Sequence, residues 1–273
     1  MAQTLKFGNK TWATKVGSTL AYNDENGNYK PLPFAFTRST SATRVNKEGL
    51  IEVVTNDRPR IDYTDTSDGV LLLEKAATNL IQYSEAFDNA YWLKNNSSVV
   101  SGFVSPYGTN NAFKLVENTS NTSHYINSGS LVTISGSSYT ISVFVKKGES
   151  NFIQFLFSSA SHGNQNFANF NLLNGTLGNV SNGVSKIESI GGFYKCSFTS
   201  TASSSTGSSS AFICKIQSET SARLESYLGD GTSGVYIFGA MLEQNSVASS
   251  YIPTQGSATT RVAETATDSG NSE

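Results

Sequence analysis

Apolar and polar residues alternate along the chain from about residue 98 onward. The run from Tyr139 to Val145 places the apolar residues Tyr139, Ile141, Val143 and Val145 on one face. This period of two residues is that of a β-strand with one buried face. Further runs of the same kind predict strands at Ala112–Val116, Ser123–Asn127, Phe152–Phe157, Phe167–Leu172, Lys186–Ile190, Phe193–Phe198, Ala211–Ile216 and Val235–Glu243.

Two of these runs also define their faces. Tyr194, Cys196 and Phe198 share one side of the run Phe193–Phe198, and Phe212, Cys214 and Ile216 share one side of the run Ala211–Ile216. Glycine- and serine-rich turns separate the strands, and the longest is the low-complexity loop from residue 201 to residue 210. About nine short strands over roughly 150 residues are typical of a two-sheet sandwich. The pattern therefore predicts an all-β fold.

The first 78 residues have a different pattern. Only Leu50–Val54 and Gly69–Leu73 resemble strands, and long loops connect them. We predict an extended, loop-rich attachment or oligomerisation segment over residues 1–78, a sandwich over 79–253 and a polar tail or linker over 254–273. One short helix is predicted at Ser84–Trp92, with Ser84 as its N-cap and Glu85 in the first turn.

Charge and composition exclude several classes of protein. The 19 basic and 21 acidic residues give a net charge of -2, so we expect no nucleic-acid partner. No run approaches the roughly eighteen apolar residues of a membrane helix, so no membrane insertion is expected. The start of the chain, Met1–Gly8, has no apolar region of a signal peptide. We therefore expect synthesis in a cytoplasm without a signal peptide.

The two cysteines, Cys196 and Cys214, lie in predicted strands. Neighbouring strands would allow a disulfide, whereas a reducing site of synthesis favours two buried thiols, which is the prediction we prefer. His124 and His162 lie far from both cysteines in sequence, so no zinc site is predicted.

A series of short motifs runs through the chain in a fixed order. Its members are Phe36-Thr-Arg-Ser-Thr-Ser-Ala-Thr-Arg-Val, Glu48-Gly-Leu-Ile-Glu, Pro59-Arg-Ile-Asp-Tyr, the run from Leu71 to Phe87, Gly239-Ala-Met-Leu-Glu-Gln and Ser249-Ser-Tyr-Ile-Pro-Thr. From about residue 34 to 262 the chain resembles bacteriophage head-spike and tail-fibre virion proteins that carry a carbohydrate-binding-module-like domain.

This resemblance implies a jelly-roll β-sandwich similar to carbohydrate-binding modules of families 4 and 9, on the virion surface and often in a homotrimer. Such relatives often continue into a second, lectin-like domain beyond the position of Arg261, so the chain is expected to be a fragment or a shorter member. No cofactor is expected. Jelly-roll modules commonly carry a structural calcium ion, for which Glu85, Asp88 or Glu243 are the candidates here.

Sugar-binding modules stack a pyranose face on an aromatic ring while neutral polar groups bond the hydroxyls. An alternative for Trp92 is that it plugs one end of the sandwich. Amides on strands supply hydrogen bonds to a sugar. The candidate carbohydrate-binding residues are Tyr91, Trp92, Tyr107, His124, Tyr125 and Gln154, with Asn171 as a further amide.

Arginines are concentrated in the N-terminal segment, at Arg38, Arg44, Arg58 and Arg60. Such a cluster can clamp acidic sugars bidentately. Pairing with carboxylates within the chain or across a subunit contact is the more common use of such residues. We therefore take these four residues as candidates for an oligomer contact.

No motif in the chain points to catalysis. There is no glycine-rich phosphate loop before a helix, no His-Glu-x-x-His and no Cys-x-x-Cys, and the separation of any two carboxylates is invisible in the sequence. The leading hypothesis is a non-enzymatic virion surface protein that binds host-surface polysaccharide and contacts other virion proteins. A structural connector without its own ligand is the alternative, and a polysaccharide depolymerase is a third hypothesis.

Overall fold

The computed structural model describes residues 12–14, 20–23, 29–31 and 35–267. The chain divides into two compact units. The larger unit comprises residues 78–248 and 253–259, and the smaller comprises the residues up to 77 together with 249–252 and those from 260 onward. The absence of a signal peptide, predicted from Met1–Gly8, concerns residues that lie outside the described part of the chain.

The larger unit contains two six-stranded antiparallel sheets. Most spatial neighbours are not consecutive in the chain, as in a jelly roll, and the predicted all-β sandwich is confirmed. In spatial order, sheet I contains Leu93–Asn95, His124–Asn127, Ala211–Lys215, Phe152–Phe157, Phe167–Asn171 and Thr176–Ser181. Sheet II contains Ser97–Phe103, Ala112–Glu117, Gly234–Glu243, Ser138–Lys147, Phe193–Thr201 and Val184–Ile190.

The inner faces of the two sheets form one hydrophobic core. The face predicted from Tyr139, Ile141, Val143 and Val145 is buried in that core, which confirms the alternation. Cys196 and Phe198 lie in it too, and Tyr194 packs against it. Sheet I contributes Ile126, Ile153, Phe155, Phe157, Ala168, Phe170, Ala211 and Ile213.

Short elements complete the larger unit. Two-stranded ladders pair Asn121–Thr122 with Tyr227–Leu228, and Leu131–Thr133 with Thr206–Ser209. The last of these strands falls within the predicted low-complexity loop. The helix of the described residues spans Ser159–His162, and the Ser158 hydroxyl accepts the amide hydrogen of Ala160 at its start.

His162, at the end of this helix, is buried against aromatic rings. Its ring stacks on Phe157 at 4.4 Å between centroids and meets Tyr139 edge-on. The Nδ1 atom lies 2.8 Å from Ser161 Oγ. Burial disfavours the charged imidazolium and lowers the pKa of His162 from 6.5 to about 4.

We predict a pH-dependent loss of stability from His162. Between pH 6.5 and 4 the unfolded chain binds a proton that the folded chain excludes, so the free energy of unfolding should fall by up to roughly 3 kcal/mol as the pH decreases. Urea unfolding at a series of pH values measures this step. His162→Phe should remove it, and an unchanged slope in that variant would contradict the assignment.

A β-bulge in sheet II forms hydrogen bonds to Asn79 and Ser84, near the start of the larger unit. Gly239 has a φ of 59°, a left-handed conformation that glycine adopts without strain. The following amide of Ala240 donates to the Ser84 carbonyl at 2.9 Å. Asn79 Nδ2 donates to the Ala240 carbonyl and Asn79 Oδ1 accepts from the Leu242 amide. Two of the sequence motifs therefore meet at this bulge.

The predicted helix at Ser84–Trp92 is wrong, because the structure has turns there. Hydrogen bonds between residues three apart join the amide of Asn89 to the Ala86 carbonyl and the amide of Trp92 to the Asn89 carbonyl, each at 3.1 Å. Ser84 Oγ accepts from the Thr254 amide at 2.8 Å instead of capping a helix. The Ser84 side chain therefore bonds a residue 170 positions away in the sequence and does not cap a helix.

The smaller unit contains two hairpins and short strands. Ala42–Val45 pairs with Ile51–Val54, and Arg60–Asp62 pairs with Val70–Leu72. Its remaining strands are Trp12–Thr14, Leu20–Asn23 and Tyr29–Pro31 in one antiparallel sheet, and Ala35–Thr37 paired with Thr265–Thr267. Two further strands, Ala77–Asn79 and Thr259–Arg261, span the unit boundaries.

The predicted polar tail over residues 254–273 is therefore wrong for its described part. Thr265–Thr267 is a strand, and Arg261 and Glu264 are buried. Residues 268–273 lie outside the described residues. Within the predicted extended segment, five apolar residues are buried, namely Ala42, Val45, Ile51, Val54 and Ile61.

Candidate functional site

Trp92 is buried in the sandwich core and cannot present a face to a sugar. It is 1% exposed, packs on Phe87 with ring centroids 5.0 Å apart, and donates its indole N–H to the Tyr83 carbonyl at 2.8 Å. The alternative of a core plug describes this residue, and Trp92 leaves the candidate set.

His124 and Gln154 are also fully buried, so they leave the candidate set for the same reason. The ring nitrogens of His124 lie 2.7 and 3.3 Å from the carbonyl oxygens of Asn96 and Tyr227. Gln154 donates to Asn169 Oδ1 and to the Ala222 carbonyl, and it accepts from the amide of Leu224. Both side chains are engaged in internal hydrogen bonds.

Tyr91 and Tyr107 are half-buried and lie on different parts of the larger unit. Tyr91 packs on Tyr83, with centroids 5.9 Å apart, and burial raises its pKa. Tyr107 packs edge-on against Phe238 on the outer face of sheet II, and burial next to Glu85 raises its pKa. The structure therefore does not gather the six predicted residues into one site.

Tyr125 is the predicted residue that lies on an accessible sheet face. It sits in the strand His124–Asn127, and the core-facing Ile126 between Tyr125 and Asn127 turns both of these side chains to the outer face of sheet I. The ring of Phe212, on the next strand, lies 5.3 Å from that of Tyr125 at an angle of 49°. Both rings are half-exposed, so together they form a small apolar platform.

Polar and aliphatic side chains flank this platform on the same face. Strand register places Leu93 beside Asn127 and Asn95 beside Tyr125. Asn95 donates one amide hydrogen to Asn127 Oδ1 at 3.0 Å, and its half-exposed position leaves the other amide hydrogen for a ligand. Leu93 is 55% exposed. We call Leu93, Asn95, Tyr125, Asn127 and Phe212 the aromatic face.

A loop covers the other half of the same sheet face. Asn169 Nδ2 donates to the carbonyls of Glu219 and Ser221, and Asn171 Nδ2 donates to the Glu219 carboxylate at 2.7 Å. Arg223 Nη2 donates to the Phe157 carbonyl. Asn171, which the sequence suggested for sugar binding, instead holds this loop.

Sequence reasoning missed Phe212, Asn95 and Leu93. The run from Ala211 to Ile216 carries a usable signal for Phe212. Ala211 and Ile213 lie on one side of this strand, and Phe212 and Cys214, which are also apolar, lie on the opposite side. A strand with apolar side chains on both faces packs against another part of the protein, or against a ligand, on each face. Asn95 and Leu93 have no such signal, since only the strand register brings them beside Tyr125.

A cleft of about 540 Å³ lies elsewhere in the larger unit. Tyr83, Glu85 and Asp88 line it from one chain segment, and Asn111 and Gln255 supply amides from other segments. Asn111 Nδ2 donates to Glu85 Oε2 at 3.2 Å and holds that carboxylate in place. The remaining lining residues are Ala86, Ser101, Phe113, Pro253 and Thr254. We call this the acidic cleft.

Two arginines of the predicted oligomer contact, Arg38 and Arg60, form ion pairs within the chain. Arg38 Nη1 and Arg60 Nε each lie 2.7 Å from Glu264 Oε1, and all three side chains are fully buried. Arg60 also pairs with Glu74 at 2.8 Å. Since buried guanidinium groups cannot face another subunit, Arg38 and Arg60 leave that prediction.

The other two arginines lie at the surface. Arg44 forms a part-exposed pair with Glu52 at 3.2 Å, and the Arg58 side chain is exposed. The oligomer contact stays a prediction for these two residues.

No group of three His, Cys, Asp or Glu side chains within the described residues is placed to hold a metal ion. Glu85 and Asp88 both line the acidic cleft, while Glu243 is buried on its strand, and a structural calcium ion at any of these residues stays a prediction. Cys196 and Cys214 are free and buried, as predicted, and burial raises the pKa of both thiols.

No helix within the described part of the chain is long and apolar enough to cross a membrane. No protein-family model matches the chain, and no curated protein matches it significantly.

Among solved structures, the chain is similar to the CBM22-1 and GH10 modules of Clostridium thermocellum xylanase 10B with xylohexaose. The identity is 13% and the TM-score 0.37, over 66% of this chain and 30% of that one. It is also similar to TmCBM27, a carbohydrate-binding module for specific mannan recognition, at 9% identity and a TM-score of 0.30, over 64% and 98% of the two chains. The chain thus spans less than a third of the xylanase chain.

Proposed function

We propose that the chain is a non-enzymatic glycan-binding protein of a bacteriophage virion surface, and that the aromatic face holds the sugar. The glycan-binding part rests on one observation, the half-exposed pair of Tyr125 and Phe212 beside the half-exposed amide of Asn95. The virion part rests on the resemblance of the sequence motifs to head-spike and tail-fibre proteins.

The chemistry of the aromatic face suits a neutral sugar. The apolar C–H face of a pyranose packs on an aromatic ring, and amides donate to and accept from its hydroxyls. The cross-strand spacing of sheet I sets Asn95 directly beside Tyr125, within reach of hydroxyls at the edge of a stacked ring. Carboxylates and ammonium groups are missing from these five residues, so recognition there depends on stacking and neutral hydrogen bonds.

Such a site binds weakly on its own. A shallow platform of two rings supports dissociation constants of roughly millimolar to micromolar per site. A homotrimer present in many copies on a virion raises the avidity without any new contact. The proposed partners are therefore host-surface polysaccharide on one side and other virion proteins on the other.

Binding to an array of bacterial surface polysaccharides tests the aromatic face. Tyr125→Ala and Phe212→Ala should each weaken binding at least about tenfold, because each removes half of the stacking platform. Tyr125→Phe keeps the ring and should retain most of the affinity. Isothermal titration with the best array ligand measures the change.

Tyr107→Ala is the matched control, since it removes a half-buried tyrosine from the outer face of the other sheet. Circular dichroism shows whether each variant is folded. Unchanged binding by folded Tyr125→Ala and Phe212→Ala variants would refute the assignment of the site.

The depolymerase hypothesis has one observation in its favour, because the acidic cleft holds two carboxylates, Glu85 and Asp88. We propose binding without bond cleavage, so incubation with the polysaccharide ligand should release no reducing ends. Release that Glu85→Gln abolishes would establish the depolymerase instead. Failure to bind any glycan, together with a stable assembly on other virion proteins, would favour the connector.

A further inference from the structure

We infer that the acidic cleft is a second saccharide site and that it takes a sugar residue carrying a free amine. The cleft shares no lining residue with the aromatic face. The inference therefore stands apart from the proposed function and can hold or fail without it.

The size and lining of the acidic cleft fit one end of a sugar chain. Its volume of about 540 Å³ lies within the range of roughly 300 to 1,000 Å³ that is typical of ligand pockets. Tyr83 provides a half-buried ring, and Phe113 and Pro253 add apolar surface. Asn111 and Gln255 provide amides that can bond hydroxyl groups. A ring-shaped polar ligand with one apolar face matches this combination.

The charge of the cleft selects a cationic substituent. Glu85 and Asp88 are its charged lining residues, and no lysine, arginine or histidine is among the lining residues. Lys94 lies outside the lining and donates its ammonium hydrogens to the carbonyls of Asp88 and Asn89. Because Lys94 offsets part of the charge at Asp88, Glu85 should carry most of the attraction for a sugar ammonium.

Binding of three matched sugars to the wild-type chain tests this inference. D-glucosamine carries the ammonium, N-acetyl-D-glucosamine replaces it with a neutral amide, and D-glucose lacks it. We expect glucosamine to shift the backbone amide resonances of Tyr83, Asn111 and Gln255 in NMR titrations and to bind about tenfold more tightly than the other two. Added salt should weaken glucosamine binding.

Two variants test whether the Glu85 carboxylate attracts the sugar ammonium. Glu85→Gln should lower glucosamine affinity about tenfold while leaving glucose binding unchanged, and Glu149→Gln, which removes an exposed carboxylate outside the cleft, should change neither. Tyr125→Ala should leave glucosamine binding intact, which separates this site from the aromatic face. Equal binding of the three sugars, no binding of glucosamine, or shifts confined to the aromatic face would overturn the inference.

Discussion

Replacing Glu264 with glutamine should lower the free energy of unfolding of the smaller unit by about 3–5 kcal/mol. The carboxylate of Glu264 accepts hydrogen bonds from Arg38, from Arg60 and from the amide of Glu74. Glutamine removes the charge and turns one acceptor into a donor that faces a guanidinium group. Arg60 then keeps its pair with Glu74, which also pairs with Arg261, whereas the ion pair of the buried Arg38 with Glu264 is lost.

Hydrogen exchange of the buried Val45 and Ile61 amides during urea titration reports the stability of that unit. Glu52→Gln is the control, because the Arg44–Glu52 pair is part-exposed and such pairs contribute at most about 1 kcal/mol. A loss in Glu264→Gln no larger than in Glu52→Gln would mean that water reaches Arg38 and Arg60.

Trp92→Ala should destabilise the sandwich by about 3–5 kcal/mol, since it empties the largest side-chain volume of the core and leaves the Tyr83 carbonyl without its indole donor. Trp92→Phe keeps much of the packing and should cost clearly less. Urea unfolding followed by circular dichroism measures both.

The same variants separate core packing from ligand contact. Trp92→Phe should bind polysaccharide as the wild-type chain does, because the indole has no exposed face. A folded Trp92→Phe variant that has lost binding while keeping its unfolding midpoint would return Trp92 to the candidate site.

The strands were predictable because the alternation of apolar and polar residues that indicates each strand lies within a few consecutive residues. In the strand Ser138–Lys147 the alternate residues Tyr139, Ile141, Val143 and Val145 are apolar, and a sheet with one face on a core requires that alternation. The helix expected at Ser84–Trp92 failed for the opposite reason, because the hydrogen-bond partner of Ser84 is Thr254, far along the chain. Local propensity is a weak guide where a distant backbone group offers a bond.

The candidate site was only partly predictable. An aromatic residue at a strand edge looks the same in the sequence whether a loop later covers it or not. Gln154 and Tyr125 lie on the same outer face of sheet I, yet the loop around Ala222 buries Gln154 and leaves Tyr125 half-exposed. Strand register and loop placement decide that outcome, and neither can be read from one chain segment.

The pairing of Arg38 with Glu264 also determines the order in which the two units can fold during synthesis. The smaller unit draws its charge compensation and the partner of Ala35–Thr37 from residues that the ribosome makes more than two hundred positions later. Arg38 must therefore stay hydrated, without the Glu264 carboxylate, while most of the sandwich strands emerge and fold. A nascent chain halted before Glu264 should show a protease-resistant sandwich and a digestible leading segment.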